Sequence, residues 1–335
     1  MLVLGIETSC DETAAAVLRD GTHLLSNVIA SQDEVHSKYG GIVPELAGRC
    51  HVERIHGVVR QALDQAGVRL EAIDLIGVTQ GPGLVVSLLV GINLAKALGY
   101  AARKPVTGIN HLEGHLLAIF LQEPVDFPYL ALIVSGGHTD LVRVDGFCRY
   151  RFLGRTRDDA AGESFDKVAK MLGLGYPGGP LIERLAREGD SRAVSFPRGL
   201  WEEGNLDFSF SGLKTAVKRR LDLRSSLNGS GESDADIAAS FQEAVVDILT
   251  RKLVSAAQQE RVPRLVLTGG VAANGPLRER VKTVSAEHGL SCHIPAPVFC
   301  TDNAAMIACA AYHRYRSGRP ETPWMTLDAQ ANLPL

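Results

Sequence analysis

Two histidines four residues apart, in His111-Leu112-Glu113-Gly114-His115, are the pair in this chain best spaced for metal chemistry. On a helix, positions i and i+4 share a face, so both imidazoles can reach one ion. Such pairs arise by chance in a chain with ten histidines. A metal reading therefore needs a third ligand. Asp302, in Cys300-Thr301-Asp302-Asn303, starts the last helical stretch and is the candidate. Two imidazoles and one carboxylate leave coordination positions open to substrate, a pattern suited to iron(II) or zinc(II). Glu113 projects about 200° from His111 on a helix. It cannot be the base of an H-E-x-x-H protease, and that reading suffers.

Further carboxylates cluster in Glu7-Thr8-Ser9-Cys10-Asp11-Glu12, where they could hold a cation or orient a nucleophile. Two glycine turns could approach a phosphate with bare backbone N–H groups. One is Val134-Ser135-Gly136-Gly137-His138 and the other is Thr268-Gly269-Gly270-Val271-Ala272-Ala273-Asn274-Gly275. Neither is a Walker A loop. Asp166, and Glu183 after the rigid Gly175-Tyr176-Pro177-Gly178-Gly179-Pro180 series, are carboxylates of the kind that bind ribose hydroxyls. Phe208-Ser209-Phe210, running on to Lys214 and Lys218-Arg219-Arg220, joins aromatics to basic residues as a local RNA contact would.

The positioning elements repeat. Strands are expected over residues 2–6, 14–18 and 24–31, with Asp20-Gly21 as a hairpin turn. A helix follows from Pro44 to about Ala66, a buried strand over 73–79, an apolar helix from Leu84 closed by Gly99, and a strand over 106–109. After residues 123–128 the pattern restarts with strands at 129–134, 141–144 and 149–153, the last entered through Asp145-Gly146. Ser233 and Asp236 read as a capping box opening a long amphipathic helix. A strand (264–267), a helix (276–288), a strand (292–294) and a final helix (302–315) complete the series. This is a duplicated RNase-H-like α/β unit, with a ligand cleft expected between the copies. The expected lobes are 1–110 with 303–335, and 111–302 with an insertion at about 158–231.

Length and composition agree with two cores: 335 residues, 45% hydrophobic and 22% charged. A net charge of −3 offers no global attraction to nucleic acid. Six scattered cysteines without a C-x-x-C pair read as free thiols of a reducing cytoplasm. No secretion signal is read at the N-terminus, and no apolar run is read as approaching the roughly 20 residues of a membrane span.

Taken together these motifs resemble the bacterial TsaD type of the Kae/TsaD family of tRNA N6-adenosine threonylcarbamoyltransferases, in the actin/Hsp70/sugar-kinase (ASKHA) superfamily. The carrying residues are Gly5 to Thr13, His111 with His115, Val134 to Thr139, Gly175 to Pro180, Phe208 to Lys214, Gly269 to Gly275 and Thr301-Asp302-Asn303. The resemblance implies an acyltransferase that moves threonylcarbamoyl from threonylcarbamoyl-AMP to N6 of adenosine 37 in tRNAs reading ANN codons. It implies one divalent metal on His111, His115 and Asp302, with iron(II) as the family's usual ion. Val134, Ser135, Gly136, Gly137 and His138 would line the donor, while Asp166, Gly179, Glu183 and Asn274 would hold its adenosine part. Glu183 stands where bacterial members often carry aspartate. Asp11 or Glu12 would orient the attacking amine or relay its proton. A TsaB paralogue and a TsaE ATPase are the implied partners, with a cytoplasmic location and no membrane. The competing readings are a metal-dependent (glyco)protease, resting on the histidine pair, and an ASKHA ATPase or kinase, resting on the fold. Kinases have no use for the histidine pair, relying on Mg²⁺ bridged to phosphates. A non-catalytic scaffold would make all these motifs coincidental.

Overall fold

Strand β1 (Leu2–Glu7) begins an apolar hairpin with β2 (Glu12–Arg19), and β3 (His23–Ser31) completes the meander. The β2–β3 turn uses Asp20 and Gly21, both at positive φ (54° and 81°), as a tight primed turn requires. The chain then alternates through α1 (Pro44–Ala66), β4 (Leu75–Gly81), α2 (Val85–Ala102), β5 (Val106–Asn110) and α3 (His111–Leu117). The first sheet has the order β3-β2-β1-β4-β5, antiparallel in the meander and parallel from β1 to β5.

The second sheet repeats that order. Strands β6 (Tyr129–Val134), β7 (Thr139–Gly146) and β8 (Arg149–Arg155) form its meander. Helices α4 (Ala161–Met171), α5 (Gly178–Ala186) and α6 (Ser211–Ser226) belong to the insertion. Then come α7 (Asp234–Glu260), β9 (Arg264–Thr268), α8 (Gly275–Glu287), β10 (Ser291–His293) and α9 (Ala304–Arg316). The sheet order is β10-β9-β6-β7-β8, strand for strand the order of the first. This computed structural model describes residues 1–226, 231–318 and 323–335. Residues 227–230 of the expected insertion, and 319–322 of the expected first lobe, lie outside the described residues.

Packing divides the chain into two units. The first comprises Met1–Val125, Gly146–Tyr150 and Val298–Leu335, and the second comprises Asp126–Asp145 and Arg151–Pro297. This differs from the expected boundaries at 110/111 and 302/303: the histidine helix α3 and Asp302 both pack in the first unit. In that unit, α9 lies on β1 and β4 because both sides of the contact are small. A Cβ on Gly5 would stand 2.2 Å from the Ala304 carbonyl, and one on Gly77 would stand 2.4 Å from Ala311 Cβ. In the second unit, α7 starts at the expected capping box of Ser233 and Asp236 and buries Ile237, Phe241, Val245, Ile248 and Leu253.

Four local expectations are corrected. Helix α2 runs through Gly99, which is buried where a side chain would meet Val106, and ends instead at Arg103 in the left-handed region. At 18 residues α2 is, by length and composition alone, long and apolar enough to cross a membrane; Leu88, Ile92 and Ala95 are packed in the core. Asp302 is not in the last helix, whose N-cap is Asn303. The β7–β8 turn passes through Phe147 and Cys148 rather than Asp145-Gly146, with Cys148 at φ 57°.

Candidate functional site

The carboxyl ends of β1, β4 and β5 lie side by side and deliver Glu7, Thr79 and His111 to one place. Asn110 caps α3, its side chain accepting from the Leu112 amide at 2.9 Å, and this cap sets the direction in which the two histidines leave the sheet. Asn303 caps α9 in the same way, accepting from Met306, and holds Asp302 just ahead of the helix. The tight seating of α9 on Gly5 then brings Asp302 against α3. His115 Nε2 lies 3.1 Å and His111 Nε2 lies 3.4 Å from Asp302 Oδ1.

The donor chemistry of this trio fits a cation. His111 Nδ1 faces Glu7 Oε2 at 3.0 Å, which orients the ring and leaves Nε2 toward Asp302. The opposite oxygen of Glu7 accepts from the Ser9 amide, and Thr79 donates to Oε2 at 2.7 Å. Both histidines are buried, and ligand atoms of His111, His115 and Asp302 all lie within 4.8 Å of one another. Burial by itself would discharge His111, but the Asp302 and Glu7 carboxylates hold its pKa well above the usual imidazole value. Burial lowers His115 instead. Asp302 is held well below the carboxylate range despite its burial, chiefly by His111. A proton on His111 thus sits where a divalent ion would supply charge to the same carboxylates. Glu113 is buried away from this centre, accepting from Tyr150 Oη and Arg314 at 2.9 Å each. It does not serve the histidines as a base.

Asp11 and Glu12 stand on the β1–β2 turn, with Asp33 nearby. Burial, reinforced by Asp11 and Asp302, pushes the Glu12 carboxyl well above the usual range. His51 braces the turn: its Nε2 donates to the Cys10 carbonyl at 3.0 Å, which leaves Nδ1 to accept from Thr13 Oγ1 at 2.8 Å.

The remaining candidates assemble within the second unit. In the β6–β7 turn the Ser135 amide donates to the His138 carbonyl at 2.8 Å, and the His138 amide donates to Ser135 Oγ at 3.1 Å. Gly136 and Gly137 are exposed at its tip, and a Cβ on either would touch nothing within 4 Å. Gly269, at φ 91°, packs against Val134 and so joins the second glycine turn to the first. Helix α4 starts beneath the β6–β7 turn, the Gly162 amide donating to the Ser135 carbonyl. Asp166 on α4 accepts from the Gly178 amide at 2.7 Å, while Gly179 beside it is open. Glu183 Oε2 accepts from Asn274 Nδ2 at 3.2 Å and from the Gly275 amide at 3.3 Å. Asn274 also caps α8 and donates to Gln242 at 2.9 Å. Within the basic stretch of α6, Lys214 and Arg220 pair with Asp159 and Glu232, leaving Lys218 and Arg219 exposed.

Sequence reasoning missed Thr79, His51 and Gln242. Thr79, at the carboxyl end of a buried parallel strand, carried the one usable signal.

The chain's relatives show its family. The family described as TsaD, tRNA N6-adenosine threonylcarbamoyltransferase, matches residues 23–309. A protein of that name from Trichlorobacter lovleyi is 53% identical over 335 residues, covering all of this chain and 97% of its own. Another from Symbiobacterium thermophilum is 55% identical over 318 residues, 95% of this chain and 92% of its own. The fold is also that of HypF from T. kodakarensis (TM-score 0.64, 16% identity, 94% of this chain and 48% of that one). Component A of (R)-2-hydroxyglutaryl-CoA dehydratase from Acidaminococcus fermentans shares it too (TM-score 0.54, 16% identity, 94% and 99%). With that family matched over residues 23–309 and these relatives 53–55% identical across 92–97% of their own length, the chain belongs to the TsaD family of tRNA N6-adenosine threonylcarbamoyltransferases.

Proposed function

We propose that this chain transfers the threonylcarbamoyl group from threonylcarbamoyl-AMP to N6 of adenosine 37 in tRNAs reading ANN codons, releasing AMP. The observation that carries the reading is the His111–His115–Asp302 set, in a chain that matches acyltransferases of this name from end to end. A divalent ion held there, iron(II) before zinc(II), supplies Lewis acidity toward the departing phosphate. The chain's own residues do the rest. Glu7 fixes the His111 ring, and the open Gly136-Gly137 tip offers backbone N–H groups to an anion. Asp166, Gly179, Glu183 and Asn274 form the wall for the adenosine part. On the β1–β2 turn burial, with the carboxylates beside it, favours the protonated form of Glu12. Asp11, next to it on the same turn, accepts the amine proton as N6 attacks the carbamoyl carbon.

A formal charge of −3 gives the chain no global attraction to tRNA, which fits a protein that needs help to grip it. A TsaB-type paralogue and a TsaE-type ATPase fill that place in this reading, and the location is cytoplasmic. The protease alternative loses its base, because Glu113 is tied to Tyr150 and Arg314. The test is direct: purified protein and partners are incubated with tRNA and threonylcarbamoyl-AMP, and adenosine 37 is examined by mass spectrometry. The expected product carries the added threonylcarbamoyl mass. Unmodified tRNA with metal-loaded protein would end the proposal.

A further inference from the structure

We infer that the second unit carries a pocket for an unpaired nucleobase of the RNA substrate, built on Asp140, Arg155 and Arg157. The inference rests on the acyl-transfer reading above. A cavity of about 350 Å³, within the range of small-ligand sites, lies beside the start of β7 and the end of β8. Asp140, Arg155, Thr156, Arg157 and Asp207 line it, together with the Gly137-His138 end of the turn assigned to the donor.

Asp140 is the informative residue. It is 3% exposed, and its Oδ1 accepts from Arg155 Nε at 3.2 Å. Its Oδ2 is buried and has no hydrogen-bond partner among the described residues. A buried carboxylate oxygen is costly to leave bare, so Oδ2 calls for an N–H or O–H donor, and the cavity beside Asp140 is where a ligand would bring one. The surrounding charges then select the kind of ligand. Two guanidinium groups face two carboxylates, Arg157 being paired with Asp207 through Nε at 2.7 Å. A balanced pocket gains little from a phosphate or a free carboxylate. It favours a neutral group that places donors beside acceptors, which is what the edge of a nucleobase offers. The Arg155 guanidinium lies 4.0 Å from the Phe152 ring centroid, which supports it as a planar partner of the kind bases stack on. Asp207, accepting from the Arg155 amide at 2.9 Å, pins the strand end that carries both arginines. Bases of a single-stranded loop are available to such a pocket without opening a duplex.

The experiment compares wild type with Asp140→Ala, Arg155→Ala and Asp140→Asn, each with partners, metal and donor. KM is measured separately for tRNA and for threonylcarbamoyl-AMP, and direct tRNA binding is measured without donor. Asp140→Ala and Arg155→Ala should each raise the tRNA KM and Kd about tenfold or more, with the donor KM within about twofold. Asp140→Asn keeps the volume but has one acceptor oxygen for two donors, so it should share the loss of tRNA binding while leaving the donor KM within about twofold. Thermal melting identifies a variant that fails to fold. Arg155 is 55% exposed, so its variant carries the test if Asp140→Ala unfolds. A raised donor KM with unchanged tRNA KM would hand the cavity to the donor and overturn the inference, as would no change in either. Wild-type protein that transfers nothing would instead overturn the acyl-transfer reading, and this inference with it.

Discussion

The two units present their first hairpin turns at the same place in sheets of the same order, yet fill them with opposite chemistry. In the first unit, the turn from Glu7 to Glu12 is built of buried and half-buried carboxylates that lean on His111, Thr79 and each other. In the second, the turn from Val134 to Thr139 ends in two exposed glycines with empty space where side chains would be. Duplication kept the backbone path and register and let the side chains diverge. One turn works through side-chain charge in a desolvated setting, where each ionic contact is strong. The other withholds side chains, which in the proposed function frees main-chain N–H groups for an anion.

The comparison can be broken most severely at the charged end. Asp302→Ala should empty the metal site, so that metal per chain by elemental analysis falls from about one to near zero. Transfer should fall about 100-fold or more. Full metal content in this variant would mean that the trio is an ordinary buried ion cluster. Asp11→Ala should come next: donor and metal stay bound while transfer drops about 100-fold, the usual scale for a lost proton acceptor. Undiminished turnover would remove Asp11 from the chemistry.

Gly137→Val sharpens the contrast from the open side. Since a Cβ at this exposed position would meet nothing within 4 Å, melting should be unchanged within about 0.5 kcal/mol, while donor affinity falls about tenfold or more. Gly5→Ala should do the reverse, because its Cβ would collide with the Ala304 carbonyl and force α9 off the sheet. Glu7→Gln should weaken metal affinity about 10- to 100-fold by loosening the His111 ring, as read by competition with a chelator.

The smallest effect lies outside both turns. His313 stacks on Phe147 at 3.6 Å between ring centroids, and burial lowers its pKa to about 4. Its folded pKa is below the unfolded value, so the unfolded chain binds the extra proton between those two values. Stability is therefore full above the unfolded value and is lost as pH falls toward 4. His313→Phe should flatten this acid limb by about one proton in the slope of unfolding free energy against pH. An unchanged slope would place the acid sensitivity elsewhere.

Much of the fold was legible because it rests on local signals. Alternating and continuous apolar runs, the Asp20-Gly21 turn and the Ser233/Asp236 capping box each follow from interactions between near neighbours in the chain. The failures were places where distant packing overrode a local preference. Gly99 reads as a helix terminator, but close contact with Val106 keeps it inside α2. Asp302 reads as helical, but the Asn303 side chain takes the capping role one residue later. Tyr150 and Arg314 claim Glu113, and no spacing rule connects them.

By itself the sequence determined which residues were able to bind a cation or an anion, since imidazoles, carboxylates and bare glycines declare their chemistry by type. It also determined the repeated element order, because apolar periodicity is a property of each segment alone. Only the tertiary structure decided that Asp302 meets two histidines almost two hundred positions earlier. That meeting depends on an alanine-faced helix closing onto Gly5, and close approach between remote segments is set by the summed shape of many side chains. The same holds for the bare oxygen of Asp140, whose burial and missing partner exist only once strand, turn and insertion have packed around it.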